Sequence, residues 1–320
     1  MTLALLKLLL GLILLVAGAE FLINACIKIA RSFNIPPMVI GLTIVAFGTS
    51  APEMGVSVMA ALNHNPDIAI GNIVGSNLAN IGLIMGIGAL VAPLKIPKRT
   101  LRIEVPFLLA SVVFFGGAAI TGSVGRVIGV ILVSVFIFYL YYLYRLRKAA
   151  VEPYQEIQEG DAEHVRPSAG TLMLNGGLIV LCILALVYGS RFLLSGAVFI
   201  ATYFHCPELI IGLTVTAIGT SLPELATTFS AARHGHGELV VGNVLGSNLA
   251  NVYLVLGTTG LIYPVSVNPD VVLRDLPVMA LFTIAIVPMM RSGWKVSRRE
   301  GGLLLAAYLV YTALLYIFKT

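Results

Sequence analysis

Charge is what this sequence has least of. Of its 320 residues, 11% are Asp, Glu, Lys or Arg and 58% are hydrophobic, against about 25% charged in a soluble globular chain. Mean hydropathy is +0.97. This deficit excludes a water-soluble fold. Cysteine is scarce too: Cys26, Cys182 and Cys206 stand apart, with no C-x-x-C pair and no Cys/His cluster. That argues against a zinc site and leaves the thiols as small side chains filling helix contacts. His64, His205, His234 and His236 fall in loops or at helix ends and His164 in a polar central stretch, where loop polarity accounts for them. The formal net charge is +5, but the cations are scattered through short loops rather than gathered on one soluble face, which excludes a nucleic-acid partner.

Apolar runs fill the space. Residues 68–94, 127–144, 171–190, 239–269 and 301–318 each approach or exceed the ~20 residues a helix needs to span lipid. They lack period-2 alternation, so helices are favoured over a membrane barrel. The N-terminal run, with Lys7 before it and Ala17-Gly18-Ala19 at its end, has the look of a cleaved leader, but the next observation argues against that.

The chain repeats itself. Gly41-Leu-Thr-Ile-Val-Ala-Phe-Gly-Thr-Ser-Ala-Pro-Glu53 returns as Gly212-Leu-Thr-Val-Thr-Ala-Ile-Gly-Thr-Ser-Leu-Pro-Glu224, and Gly71-Asn-Ile-Val-Gly-Ser-Asn-Leu-Ala-Asn80 as Gly242-Asn-Val-Leu-Gly-Ser-Asn-Leu-Ala-Asn251, both 171 residues on. Apolar similarity by chance would match Leu to Val, not Gly, Thr, Ser, Pro, Glu and Asn in register. The offset extends upstream, pairing Gly18, Phe21, Leu22 and Pro36 with Gly189, Phe192, Leu193 and Pro207. The first helix is therefore expected to be a working part of the fold.

Counting apolar segments gives an all-α membrane protein of ten transmembrane helices: roughly 3–30, 36–62, 68–92, 104–121 and 126–144, then 171–201, 207–233, 239–262, 271–290 and 300–318. Residues 1–144 form the first five-helix repeat, with its motif at 39–94. Residues 145–170 form a polar linker, and residues 171–320 the second repeat, with its motif at 210–265. Five is odd, so the second repeat enters the membrane inverted. With both termini outside, the inner side carries Arg31, Lys95, Lys98, Arg99, Arg102, Arg145, Arg147, Lys148, Arg233, Arg291, Lys295, Arg298 and Arg299, and outer loops 63–67, 201–207 and 264–270 carry no Lys or Arg. Arg126, Arg274 and Lys319 are the outer exceptions. This bias follows the positive-inside rule, placing the linker in the cytoplasm and the chain in the cell (inner) membrane. Inverted repeats with a midplane site are the build of many secondary transporters.

Ionisable residues at membrane depth are costly and usually functional. Glu53 and Glu224 sit well inside two apolar segments, each directly after a proline. Pro52 and Pro223 cannot donate to the carbonyls four residues earlier, so Gly48 and Gly219 are expected to offer free carbonyl oxygens. Thr49, Ser50, Thr220 and Ser221 add hydroxyls at the same level. Two carboxylates with hydroxyl and carbonyl oxygens, and no sulfur or imidazole, form a hard-cation set suited to Ca²⁺. In the second motif Ser76 and Asn80 share a helix face, as do Ser247 and Asn251. Such residues also stabilise membrane helix contacts; ion coordination is the reading taken for these four, and packing for Gly71, Gly75, Gly242 and Gly246.

Gly-Thr-Ser-x-Pro-Glu in both halves, followed by Gly-Asn-x-x-Gly-Ser-Asn, resembles the α-repeats of the cation/Ca²⁺ antiporter superfamily, in its prokaryotic Na⁺/Ca²⁺ exchanger branch. The resemblance covers essentially the whole chain. It implies a secondary antiporter, not an enzyme, with no cofactor, carrying Ca²⁺ and Na⁺ by alternating access, monomeric in the lipid bilayer. By the same resemblance Glu53, Glu224, Thr49 and Thr220 ligate Ca²⁺. Ala46, Ser50, Ser76, Ala217, Ser221 and Ser247 help form flanking Na⁺ sites, and Asn80 and Asn251 complete the centre. Some relatives have Asp where Asn251 stands, and the neutral residue points to exchange without K⁺. The alternative is a Ca²⁺/H⁺ antiporter using the two glutamates as proton carriers, although that branch's Gly-Asn-x-x-Glu pattern is missing. A channel lacks a pore-loop filter, and a membrane protease would need a base beside Ser50 or Ser221. Finally, Glu20 is matched at the offset by Arg191, and the two are expected to pair within the membrane.

Overall fold

In a computed structural model, residues 1–33, 35–158, 169–204 and 217–317 are described. Pro207, the 212–216 stretch of the second motif, His164, His205, Cys206 and Lys319 lie outside them. The described residues are mostly helical: α1 Thr2–Ser32, α2 Pro37–Thr49, α3 Ala51–Leu62, α4 Pro66–Val91, α5 Lys98–Ile120, α6 Arg126–Gln158, α7 Ala169–Tyr203, α8 Ala217–Thr220, α9 Leu222–Arg233, α10 Gly237–Ile262, α11 Val271–Trp294 and α12 Arg298–Ile317. Seven of these are long and apolar enough to cross a bilayer, and α2 with α3, bent by 43°, makes up to an eighth. α6 runs on to Gln158, well past the boundary expected at 144 and through Pro153.

α4 and α10 are the central elements: 78% and 94% of their apolar windows are buried, against 28% for α1 and for the matching window in α7. Glycines bring the helices close. α1 and α7 pack antiparallel, Gly11 lying against Gly189 and Leu193, and Gly18 against Cys182 and Ala185. Gly242 and Gly246 of α10 lie on Met38, Leu42 and Ala46 of α2, as the packing reading expects for them. The stretch that the repeat would place against Gly71 and Gly75 falls outside the described residues.

Two short antiparallel ladders join the two halves. Leu94–Lys95 (β1) pairs with Lys295–Val296 (β4), and Ser123–Val124 (β2) with Val265–Ser266 (β3). β1 precedes α5 and β2 follows it, so the ladders sit at opposite ends of that helix.

Candidate functional site

The helix that begins as α2 stops at Ser50 (φ −80°, ψ 5°) and restarts as α3; α8 stops at Ser221 (φ −89°, ψ 9°) and α9 follows. The break is built into Ser-x-Pro-Glu. Proline is at home in the first turn of a helix, where its missing N–H is not needed, so Pro52 and Pro223 open α3 and α9 and place Glu53 and Glu224 in those first turns. The helix dipole at such a terminus favours negative charge. Both carboxylates are 1% exposed.

The two breaks face each other. Ser50 Oγ donates to Glu224 Oε1 at 3.4 Å and Ser221 Oγ donates to Glu53 Oε1 at 3.4 Å. Each half thus supplies the hydroxyl for the other's carboxylate. The threonines cross over likewise: Thr49 Oγ1 donates to Asn243 Oδ1 (3.4 Å) and Thr220 Oγ1 to Asn72 Oδ1 (3.5 Å). Asn72 also donates through Nδ2 to the backbone oxygen of Glu53 (3.1 Å) and to Ser57 Oγ (2.9 Å). Asn243 Nδ2 donates to Thr227 Oγ1 (3.3 Å), whose hydroxyl is itself placed to donate to the Pro223 and Glu224 carbonyls. These asparagines were not among the expected site residues. Their signal was present, since Asn72, Ser76 and Asn80 are spaced by four and share one face of α4.

Glu53 Oε2, Glu224 Oε2, Ser76 Oγ, Ser247 Oγ, Asn80 Oδ1 and Asn251 Oδ1 are all buried without a hydrogen-bond partner. They form three pairs related by the repeat. A buried acceptor left unpaired is expensive, and six such oxygens from these positions fit a hard cation, which takes ~6–8 oxygen ligands when it is Ca²⁺. Asn80 Nδ2 reaches Asn248 Oδ1 at 3.0 Å and ties α4 to α10. The donors gathered here are oxygens, without sulfur or imidazole among them, a set that softer transition metals do not favour. Ala46 is fully buried, with its carbonyl accepting from Ser50 N and lying 3.4 Å from Thr49 Oγ1 as an alternative acceptor to Asn243. Ala217 begins α8, and its side chain lies outside the description.

Two expectations need correction. The Gly219 carbonyl is not free: it accepts the hydroxyl of Ser190 on α7, while the position matching Ser190 in the first half is Ala19, which has no hydroxyl. Nor do Glu20 and Arg191 pair. Glu20 accepts from Ser230 Oγ (2.8 Å) and forms ion pairs with Arg233 (3.3 Å) and His234 (3.1 Å); Arg191 is exposed, its guanidinium 6.0 Å from the Tyr188 ring. The reason is the antiparallel crossing. With Gly11 opposite Gly189 and Gly18 opposite Cys182, Glu20 and Arg191 stand roughly eleven residues apart along the pair, or ~16 Å at ~1.5 Å per residue.

The sequence profile described as sodium/calcium exchanger protein matches residues 3–145 and 174–317. The chain belongs to the sodium/calcium exchanger family. It is thus a multi-pass membrane transporter rather than an enzyme. Inner membrane protein YrbG of Escherichia coli (strain K12) is 36% identical over 99% of this chain and 98% of its own length. Sodium/calcium exchanger MaX1 of Methanosarcina acetivorans is 33% identical over 97% of both. Among solved structures, the sodium-calcium exchanger NCX_Mj soaked with Na⁺ and no Ca²⁺ superposes with a TM-score of 0.83 at 30% identity, covering 98% of each chain.

Proposed function

We propose that this family member exchanges Na⁺ for Ca²⁺ by alternating access. The observation that carries the reading is the pair of buried carboxylates, each bonded through Oε1 by the opposite half's serine, whose two Oε2 atoms join Ser76 Oγ, Ser247 Oγ, Asn80 Oδ1 and Asn251 Oδ1 as six buried oxygens without a hydrogen-bond partner. Glu53 and Glu224 are the central Ca²⁺ ligands, with Thr49 and Thr220. Ser50, Ser76, Ser221 and Ser247, with the backbone at Ala46 and Ala217, serve flanking Na⁺ ions, and Asn80 and Asn251 close the centre. Two carboxylates match the charge of one Ca²⁺, and the neutral Asn251 supports exchange without K⁺. An empty site would leave both charges unpaired in low dielectric, which makes return without cargo costly and so enforces exchange. Relatives named as sodium/calcium exchangers support this cargo.

The scaffold is ten helices arranged as inverted repeats, 1–144 and 171–320, joined by a cytoplasmic linker at 145–170. The chain works as a monomer in the cell membrane with both termini outside; the loop charges and the inner-membrane name of the Escherichia coli relative support this placement. α1 and α7, peripheral and packed through glycine seams, move past the central helices to open either side.

A Ca²⁺/H⁺ antiporter is the second reading, favoured by the unpartnered Oε2 on each glutamate, where a proton would reside. Radioactive Ca²⁺ uptake into proteoliposomes under separately imposed Na⁺ and pH gradients decides between them. Uptake driven by outward Na⁺ at constant pH supports Na⁺ coupling. Equal uptake from a pH gradient without Na⁺ overturns it.

A further inference from the structure

The two β ladders have equivalent backbones and opposite chemistry. At one end of α5, β2 and β3 place Ser123 across from Ser266; at the other, β1 and β4 place Lys95 across from Lys295. Like charges directly opposite in an antiparallel pair destabilise it. Here they are exposed, and among the described residues neither lysine has an ion pair. Glu238 lies close enough to Lys95 to be felt electrostatically but forms no ion pair with it. The Glu300 carboxylate next to β4 is engaged by Ser297, through both its N–H and its hydroxyl at 2.7 Å.

More cations ring the pair. Lys98 Nζ lies 5.5 Å from the Trp294 ring, Arg298 donates to the Val91 carbonyl at 3.2 Å, and Arg298, Arg299 and Arg291 are exposed. Excess Lys and Arg at span ends has an orienting role, but that rule asks only for charge in the loop. It does not ask for two lysines held opposite each other on paired backbone, which concentrates the charge at one spot. The ladder joins the α4–α5 connection to the residues that follow α11, and α4, α5 and α11 are all long and apolar enough to cross a bilayer, so span ends meet here, where headgroups and an interfacial aromatic such as Trp294 are expected.

We propose that the Lys95–Lys295 ladder, with Lys98 and Arg298 beside it, binds the phosphates of anionic phospholipid headgroups in the leaflet at that end. The bound phosphate removes the repulsion between the two lysines and clamps one repeat to the other. The matching Ser123–Ser266 ladder binds none. Basic clusters next to membrane spans attract anionic lipid through a field that fades within a Debye length.

The test is thermal unfolding of the detergent-purified full chain with added phosphatidylglycerol or phosphatidylcholine, with native mass spectra recording retained lipid. Neither readout requires transport, so failure here is separate from failure of the exchange reading. Phosphatidylglycerol, but not phosphatidylcholine, is expected to raise the unfolding midpoint by about 3 °C through preferential binding to the native state. The rise and the retained phosphatidylglycerol are lost in the Lys95→Gln/Lys295→Gln variant and kept in Arg126→Gln, which changes the cation at the other ladder. If the double variant does not fold, Lys295→Gln alone and added salt serve: both must diminish the wild-type rise. Equal response to the two lipids, an unchanged response in the lysine variants, or a rise that survives high salt overturns the proposal.

Discussion

At the centre of the molecule Ser50 reaches Glu224 and Ser221 reaches Glu53 at the same 3.4 Å, and Thr49 and Thr220 cross to Asn243 and Asn72 in the same way. At the periphery the correspondence fails: Glu20 is matched by Arg191, Ala19 by Ser190, and a lysine ladder by a serine ladder. The difference follows from what each region must do. A site approached alternately from two sides has to present comparable ligands to each. The ends face different surroundings, and nothing holds them alike.

Exchanging residues between the halves tests that contrast. The largest effect is expected at the carboxylates. Glu53→Gln and Glu224→Gln should each reduce Na⁺-dependent Ca²⁺ uptake by about 100-fold or more, since removing one partner of a buried charged cluster costs about 3–5 kcal/mol. A variant that keeps half its uptake would show that the two halves are not equivalent. Next come Asn72→Ala and Asn243→Ala. Each removes the amide oxygen that accepts from a threonine of the opposite half, a loss of about 1 kcal/mol, so the Ca²⁺ concentration for half-maximal flux should rise about fivefold in both. Unequal shifts would confine the equivalence to the glutamates.

Smaller effects are expected where the halves already differ. Ser190→Ala removes the hydroxyl from the Gly219 carbonyl and should lower stability by about 1 kcal/mol, read as a reduced unfolding midpoint in detergent. Ala19→Ser, the reciprocal change, should give no matching gain. Smallest is Glu20→Gln. Its ion pairs are part-exposed, and such pairs contribute about 0–1 kcal/mol, so stability should barely change. Arg191→Gln should be silent in the same melt; a loss above about 1 kcal/mol would bring back a link between the two.

Much of the site was legible because it is written twice. Glu53, Ser76 and Asn80 recur at a fixed offset, and identical polar residues in apolar segments declare themselves. What the offset could not show is apposition. Equivalent positions in an antiparallel crossing meet only at its centre, near Leu15 and Leu186, so the inference that matched Glu20 to Arg191 also placed them too close together. Asn72 and Asn243 were passed over although they lie one turn from Ser76 and Ser247, because their work is to hold the opposite half's threonines, a contact that a linear pattern does not encode. The prolines pointed to disturbed backbone at Gly48 and Gly219 within continuous helices, whereas the helix stops at Ser50 and Ser221, because proline is best accommodated just after a break. The run of α6 to Gln158 was missed because hydropathy marks where an apolar run ends, not where a helix ends.

One backbone feature reaches beyond the ions. Within α4 the stretch Asn80–Ile84, and within α10 the stretch Ala250–Leu256, wind as π-helix. Such a turn accommodates an additional residue, and at 3.6 residues per α-turn one residue is about 100° of rotation. Each central helix therefore changes phase in mid-membrane: the stripe that turns toward the carboxylates in one segment is steered elsewhere in the next. The phase change ends that face just beyond Asn80 and Asn251, and so keeps the hydrophilic path short.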